Sequence, residues 1–241
     1  MQLQPEVRPM TLPIKTVLAN RQNYGKARTA SQIKYIVIHY TANDGDHDEG
    51  NANYFKNNIV QASAHYFVDD DSITQTVPDN YVAWSVGGEK WRDCASTGGG
   101  TMHGIITNTN SLSIEMCDTV KDGTVMATET TMRNTAELVK SLMKKYNIDI
   151  NHVYRHFDVT GKHCPAYLMK PAAWAAFKER LVDKKMDLYN TVAEVPSWAK
   201  ATVEKLIAHG SLNGDAEGNL KLDYNMLRLL VINDREGCYG K

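Results

Sequence analysis

What this chain lacks excludes several chemistries at the outset. It has no HExxH pattern and no paired CxxC, so the ordinary metalloprotease helix and the four-cysteine structural zinc site are both absent. Nowhere do about 20 consecutive apolar residues occur, the length that a membrane-spanning helix needs. The N-terminal MQLQPEVRPMTLP has no basic stretch followed by an apolar one, the pattern of an export signal, so a soluble protein made in the cytoplasm is expected, without membrane insertion. Charge bias is missing too: 27 Lys and Arg against 28 Asp and Glu leave a net charge of -1. Such a balance exerts no general pull on nucleic acid, and no nucleic-acid partner is expected. Cysteine is sparse, with Cys94, Cys117, Cys164 and Cys238 far apart, and reduced thiols are expected rather than a disulfide framework.

The 241 residues suffice for one domain of about 150 to 200 residues with a full core and a small appendage. In IKYIVIHYTA, Ile33, Tyr35, Val37 and His39 share one face and Ile36, Ile38 and Tyr40 the other, which predicts a central strand covered on both sides. A helix through about Asn58 and a hairpin of strands at His65 to Val68 and Ile73 to Val77 follow. Glu89 to Asn110, rich in Gly, Ser and Thr, reads as a long loop. SLSIEMC alternates as a strand with Leu112, Ile114 and Met116 on its core face and Glu115 on the other. Met132, Ala136, Val139, Met143 and Tyr146 recur at helical spacing over about 129 to 146. Asp149 to His156 is the next expected strand, and Pro171 starts a helix with the apolar stripe Trp174, Phe177 and Leu181. The fold class is therefore α/β: a mixed central β-sheet covered by helices, followed by a small, mainly helical C-terminal module.

His39 at a strand end, His156, and Cys164 in the run HVYRHFDVTGKHCP are one candidate set of metal ligands. Two imidazoles and a thiolate suit Zn²⁺, and three protein ligands leave the fourth tetrahedral position free for a water. His152 is the rival, because it alternates onto the same expected strand face as His156. The words VIHYTA, SAHYFVD, SIEMC and RHFDVTGKHCP, in this order, resemble the zinc-dependent N-acetylmuramoyl-L-alanine amidases, a family that includes phage endolysins and peptidoglycan recognition proteins. The resemblance covers roughly residues 30 to 182. It implies a Zn²⁺ cofactor on His39, His156 and Cys164, bacterial peptidoglycan as partner and substrate, and hydrolysis of the amide between the MurNAc lactyl group and L-Ala.

Glu115, on the non-core face of its strand, is the candidate general base and then acid. The GK-x-CP context of the family assigns Lys162 to stabilising the developing oxyanion. His65, Trp84 and His103 are the candidate substrate contacts. Two positions depart from the family's pattern. Some members carry tyrosine where Ala64 stands, which shifts the proton burden onto Glu115, and many carry histidine where Ser85 stands. A non-catalytic peptidoglycan receptor of the same fold is the alternative, and Cys164 argues against it because such receptors typically lack the thiolate.

The expected organisation is a zinc amidase domain over 1–183, a linker over 184–194, and a cell-wall-binding module over 195–241. Pro196 and Gly210 bracket one helix and a second follows Asp223. Trp198, Leu206, Gly210, Gly214 and LRLLVINDREG resemble small wall-anchoring modules of endolysins, the alternative being a helical hairpin that packs on the catalytic domain or mediates self-association. The missing export signal fits a phage or prophage protein that reaches the cell wall through a holin pore, with an autolysin exported by another route as the alternative.

Overall fold

Residues 12–182 and 188–240 are described by a computed structural model. The chain divides into two compact units, Met1–Val182 and Asp183–Lys241. In the first unit the strands are β1 (Ile14–Thr16), β2 (Tyr24–Ala27), β3 (Tyr35–Tyr40), β4 (Tyr66–Val68), β5 (Ile73–Gln75), β6 (Tyr81–Ala83), β7 (Ser111–Met116) and β8 (Val153–Arg155). Its helices are α1 (Asp48–Asn57), α2 (Cys94–Thr97), α3 (Glu129–Tyr146), α4 (His156–Thr160) and α5 (Pro171–Glu179). Six strands form one sheet in the order β1-β5-β4-β7-β3-β8, parallel except for the β4–β5 hairpin, while β2 and β6 pair separately.

The central pair β3–β7 follows from its sequence. Ile36 and Ile38 of β3 join Leu112, Ile114 and Met116 of β7 in a core that also takes Leu138, Val139 and Leu142 of α3 and Phe177 of α5. Val37, facing the other way, packs with Val86, Ile106 and Val159. Apolar residues on both faces of one strand require this double cover. α3 spans the expected residues: the Thr128 side chain accepts from the Thr131 amide at its start, and Asn147 leaves in the left-handed conformation at its end.

Two expectations change. The strand forecast over Asp149 to His156 is a 3-10 turn at Ile150–His152, three residues of strand, and then a helix that His156 opens. Local hydrogen bonds explain the change: the Asp149 carboxylate accepts from the Asn151 amide, and Asp158 Oδ2 accepts from the Arg155 amide at 2.8 Å, capping α4. The Gly-rich stretch contains α2, and its backbone is fastened to α4 by bonds from Trp91 to Thr160, Gly100 to Phe157 and Met102 to Asp158. Glycine is required at position 99, where a Cβ would lie 2.7 Å from the Phe157 ring and 2.9 Å from the Gly161 backbone.

The second unit contains α6 (Ser197–Ala208) and α7 (Tyr224–Arg235) around Val195, Ala199, Val203, Leu222, Leu227 and Val231. Of the stretch expected as a linker, 184–187 lie outside the described residues. From Tyr189, which pairs with Leu222, the chain already belongs to this second core.

Candidate active site

Parallel pairing of β3 with β7 sets His39 directly beside Glu115. Their side chains approach to 3.9 Å, His39 Nδ1 to Glu115 Oε1, and the same nitrogen lies 3.9 Å from Cys164 Sγ. His156, on the first turn of α4, meets the His39 ring edge-on with centroids 4.7 Å apart. One donor atom from each of His39, His156 and Cys164 lies within 4.8 Å of the others, and all three residues are buried. Cys164 is placed by its loop: the Phe157 amide donates to the Cys164 carbonyl at 2.9 Å, the next bond is a cis peptide to Pro165, and the Tyr40 amide hydrogen-bonds the sulfur.

The electrostatics suit cation binding. Burial first, then the charges of His156 and Lys162, holds the His39 imidazole well below its ordinary pKa. Burial and Lys162 depress His156 to about 3. Both rings are therefore neutral ligands at physiological pH, the form a metal needs. Burial, aided by the Glu115 carboxylate, pushes the Cys164 thiol up, so it becomes a thiolate only when a cation stands beside it. His39 Nε2, His156 Nδ1 and Glu115 Oε2 are buried with no hydrogen-bond partner. Buried polar atoms without partners are costly, and a bound ion with its water is the kind of group that satisfies them. The donor set and these atoms fit zinc, and no other cluster of three such ligands occurs among the described residues.

Burial also raises the Glu115 carboxyl to about 8, with Lys162 pulling it down and Asp46 pushing it up. Lys162 is exposed at the turn between α4 and Cys164, and its charge acts on His39, Glu115, His156 and Cys164 alike. His152, the rival ligand, is exposed and packs its ring 5.4 Å from that of Tyr35.

Residues 29–167 match the N-acetylmuramoyl-L-alanine amidase family, which is more than half of the chain. The chain belongs to that family. A probable N-acetylmuramoyl-L-alanine amidase of Bacillus licheniformis is 36% identical over 154 residues, covering 62% of this chain and 41% of the relative. The amidase CwlL of the same organism is 39% identical over 139 residues, 56% of this chain and 36% of its own. The chain thus spans about two-fifths of the length of these curated relatives. The solved catalytic domain of XlyA, an amidase of Bacillus subtilis, superposes with a TM-score of 0.56 at 28% identity, covering 71% of this chain and all of that domain. The mixed sheet with its helices is the fold of that domain.

The three residues expected to contact substrate are placed differently from one another. Trp84 is half-buried, and its indole nitrogen lies over Gly25, where a Cβ would approach it to 3.0 Å. His103 is exposed in the Gly-rich loop, with Nε2 3.3 Å from the Gly88 carbonyl. His65, expected in the substrate groove, is 1% exposed. Its Nδ1 lies 3.0 Å from the Ser113 amide nitrogen and its Nε2 3.1 Å from the Tyr81 carbonyl. Arg28 Nη2 lies 2.8 Å from the same nitrogen. His65 therefore braces β7 two residues before Glu115.

Arg28 and Asp79 were not anticipated in the amidase fold of this chain. Buried Arg28 donates to the carbonyls of Asp79, Asn108, Thr109 and Ser111, tying the start of β7 to the loop before it. Asp79 accepts from the hydroxyls of Tyr66 and Tyr146 at 2.6 Å each and from Lys145 at 2.9 Å. These partners lie 13 to 83 residues away, so no local pattern announces them.

Proposed function

We propose that this chain is a zinc-dependent N-acetylmuramoyl-L-alanine amidase that cleaves the amide between the lactyl group of MurNAc and L-Ala in bacterial peptidoglycan. The observation that carries the reading is the buried cluster of His39, His156 and Cys164, with Glu115 3.9 Å from His39. Four protein ligands would argue for a structural ion, whereas three with an adjacent carboxylate leave a position for chemistry.

A zinc ion on His39, His156 and Cys164 would supply a water acidified to near neutral pKa and a Lewis acid for the amide oxygen. Glu115 takes the proton that the water releases as its oxygen bonds to the carbonyl carbon. The same carboxyl returns that proton to the nitrogen as the C–N bond breaks, so the products are a lactyl carboxylic acid and a free L-Ala amine. Burial raises the proton affinity of this carboxyl above that of a free one, which suits it to hold the proton between the two steps. The Lys162 ammonium stabilises the carbonyl oxygen as it gains negative charge. Trp84 and His103 are the proposed substrate contacts. Asp183–Lys241 is proposed to hold the enzyme on the wall, and holin-mediated release is proposed as its route there.

Mass spectrometry of digested peptidoglycan tests the bond. Intact stem peptides with a free L-Ala amine are expected; new reducing sugar ends or shortened peptides would refute the assignment.

A further inference from the structure

The turn that carries Lys162 is held from outside by part of the Gly-rich loop. Gly161, Lys162 and His163 alone separate α4 from Cys164, so the ammonium proposed to meet the oxyanion stands on a very short span. Each residue of a free span has two soft dihedrals and could present the lysine in many directions. Trp91, Asp93 and Cys94 remove that freedom. The Trp91 amide donates to the Thr160 carbonyl at 2.8 Å. Cys94 packs so closely on Gly161, whose φ is +85°, that a Cβ there would lie 2.1 Å from its Sγ. Asp93 Oδ2 lies 2.8 Å from His163 Nε2, and the Trp91 ring tilts at 37° to that imidazole with centroids 5.4 Å apart.

These contacts matter more for aim than for stability. The Asp93 and His163 side chains are 39% and 45% exposed, and pairs so open to water contribute little to folding. Lys162, in contrast, depends on what lies beneath it. Among the described residues no hydrogen bond or ion pair holds its ammonium, so the backbone of the turn sets where the charge stands. That charge acts on His39, Glu115, His156 and Cys164 together. A misplacement of about 1 Å in a catalytic group can cost roughly 10²-fold in rate.

We propose that Trp91, Asp93 and His163 are positioning residues for the amide hydrolysis, fixing the turn so that the Lys162 ammonium faces the carbonyl oxygen as it gains charge. The inference rests on the reading of Lys162 as the oxyanion contact and adds what aims it.

Steady-state hydrolysis of a soluble muropeptide by the full chain tests it. Asp93→Ala and His163→Ala are each expected to lower kcat by roughly tenfold with KM changed less than about twofold, and the double variant to be no slower than either. Zinc content and the urea unfolding midpoint should stay near those of the wild type. Asp93→Asn keeps an oxygen for the imidazole and should recover most of the rate. In a Lys162→Met background either alanine substitution should cost nothing more, because the group it aims is gone. Should Asp93→Ala not fold, exposed His163→Ala carries the same comparison. Unchanged kcat in the alanine variants, or the same loss with and without Lys162, would overturn the positioning role and leave a slow Lys162→Met as evidence for the oxyanion contact. Loss of zinc in the alanine variants would assign the cradle to Cys164 and refute the proposal. Full activity of Lys162→Met itself would instead remove the underlying reading of Lys162, and the inference with it.

Discussion

His39 and Glu115 are Cα partners on adjacent parallel strands, and their side chains converge to 3.9 Å. One β3–β7 register therefore aligns the imidazole proposed as a metal ligand with the carboxylate proposed to move the proton. A slip of one residue would turn Glu115 into the core and replace it with a core side chain, so the same alternation that builds the sheet also builds the site.

Metal content follows from the ligand set. Cys164→Ser substitutes a hydroxyl that stays protonated at neutral pH, so zinc affinity should fall by more than the roughly 10–100-fold typical of losing an outer-sphere partner. Elemental analysis after dialysis measures this; full zinc occupancy in the variant would contradict ligation by Cys164.

Proton transfer and metal binding should separate. Glu115→Gln keeps the shape and removes the base, so turnover should drop by roughly 10²–10⁴ while zinc content is retained. Lys162→Met should cost roughly 10²–10³ in kcat if its ammonium acts on the oxyanion. Steady-state assays on a soluble muropeptide check both, and near-normal kcat in either variant would move that role to another residue.

The sequence carried the centre of the fold more clearly than its edges. Alternation identified β3 and β7 because each runs for six residues with both faces buried or nearly so. β1, β2 and β6, of three or four residues, are too short to show a period. His156 read as a strand residue because the alternation of Val153 to Arg155 continues into it, and the Asp158 cap that turns the chain into α4 lies only three residues on. His65 was legible as a strand neighbour of the site. Its fate was not, because Arg28, Tyr81 and Ser113 reach it from 16 to 48 residues away.

Buried His65 gives the metal-free protein an acid-sensitive term. Burial, reinforced by the Arg28 charge, lowers its pKa from 6.5 to about 3. Between those values the unfolded chain binds a proton that the folded chain refuses, so stability falls as pH drops from about 6.5 toward 3. Each such group contributes up to about 1.4 kcal/mol per pH unit. His39 and His156 add slopes of the same sign, so the comparison must be with a variant. His65→Gln should be less stable at pH 7 by about 1–3 kcal/mol, through lost buried hydrogen bonds, yet lose less on going to pH 5. Urea unfolding at the two pH values measures both; an unchanged slope would mean that His65 does not titrate on unfolding.

The two units should part cleanly in function. Every proposed ligand and catalytic group lies within Met1–Val182, and each unit has its own buried apolar cluster. A relative's catalytic domain, matched over its whole length, corresponds to 71% of this chain. A chain ending at Val182 should therefore remain folded, bind zinc, and hydrolyse soluble muropeptides with unchanged kcat and KM. On intact walls it should be slower, because a second attachment point raises the local concentration of enzyme at an insoluble substrate by an amount set by linker length. That advantage should shrink as wall is supplied in excess, since tethering accelerates encounter and not the chemical step. Turbidity clearance at several wall concentrations, alongside the muropeptide assay, separates the two effects. Equal clearance by both chains at limiting wall would remove the anchoring role, whereas a fall in muropeptide turnover would mean that the second unit supports the catalytic fold.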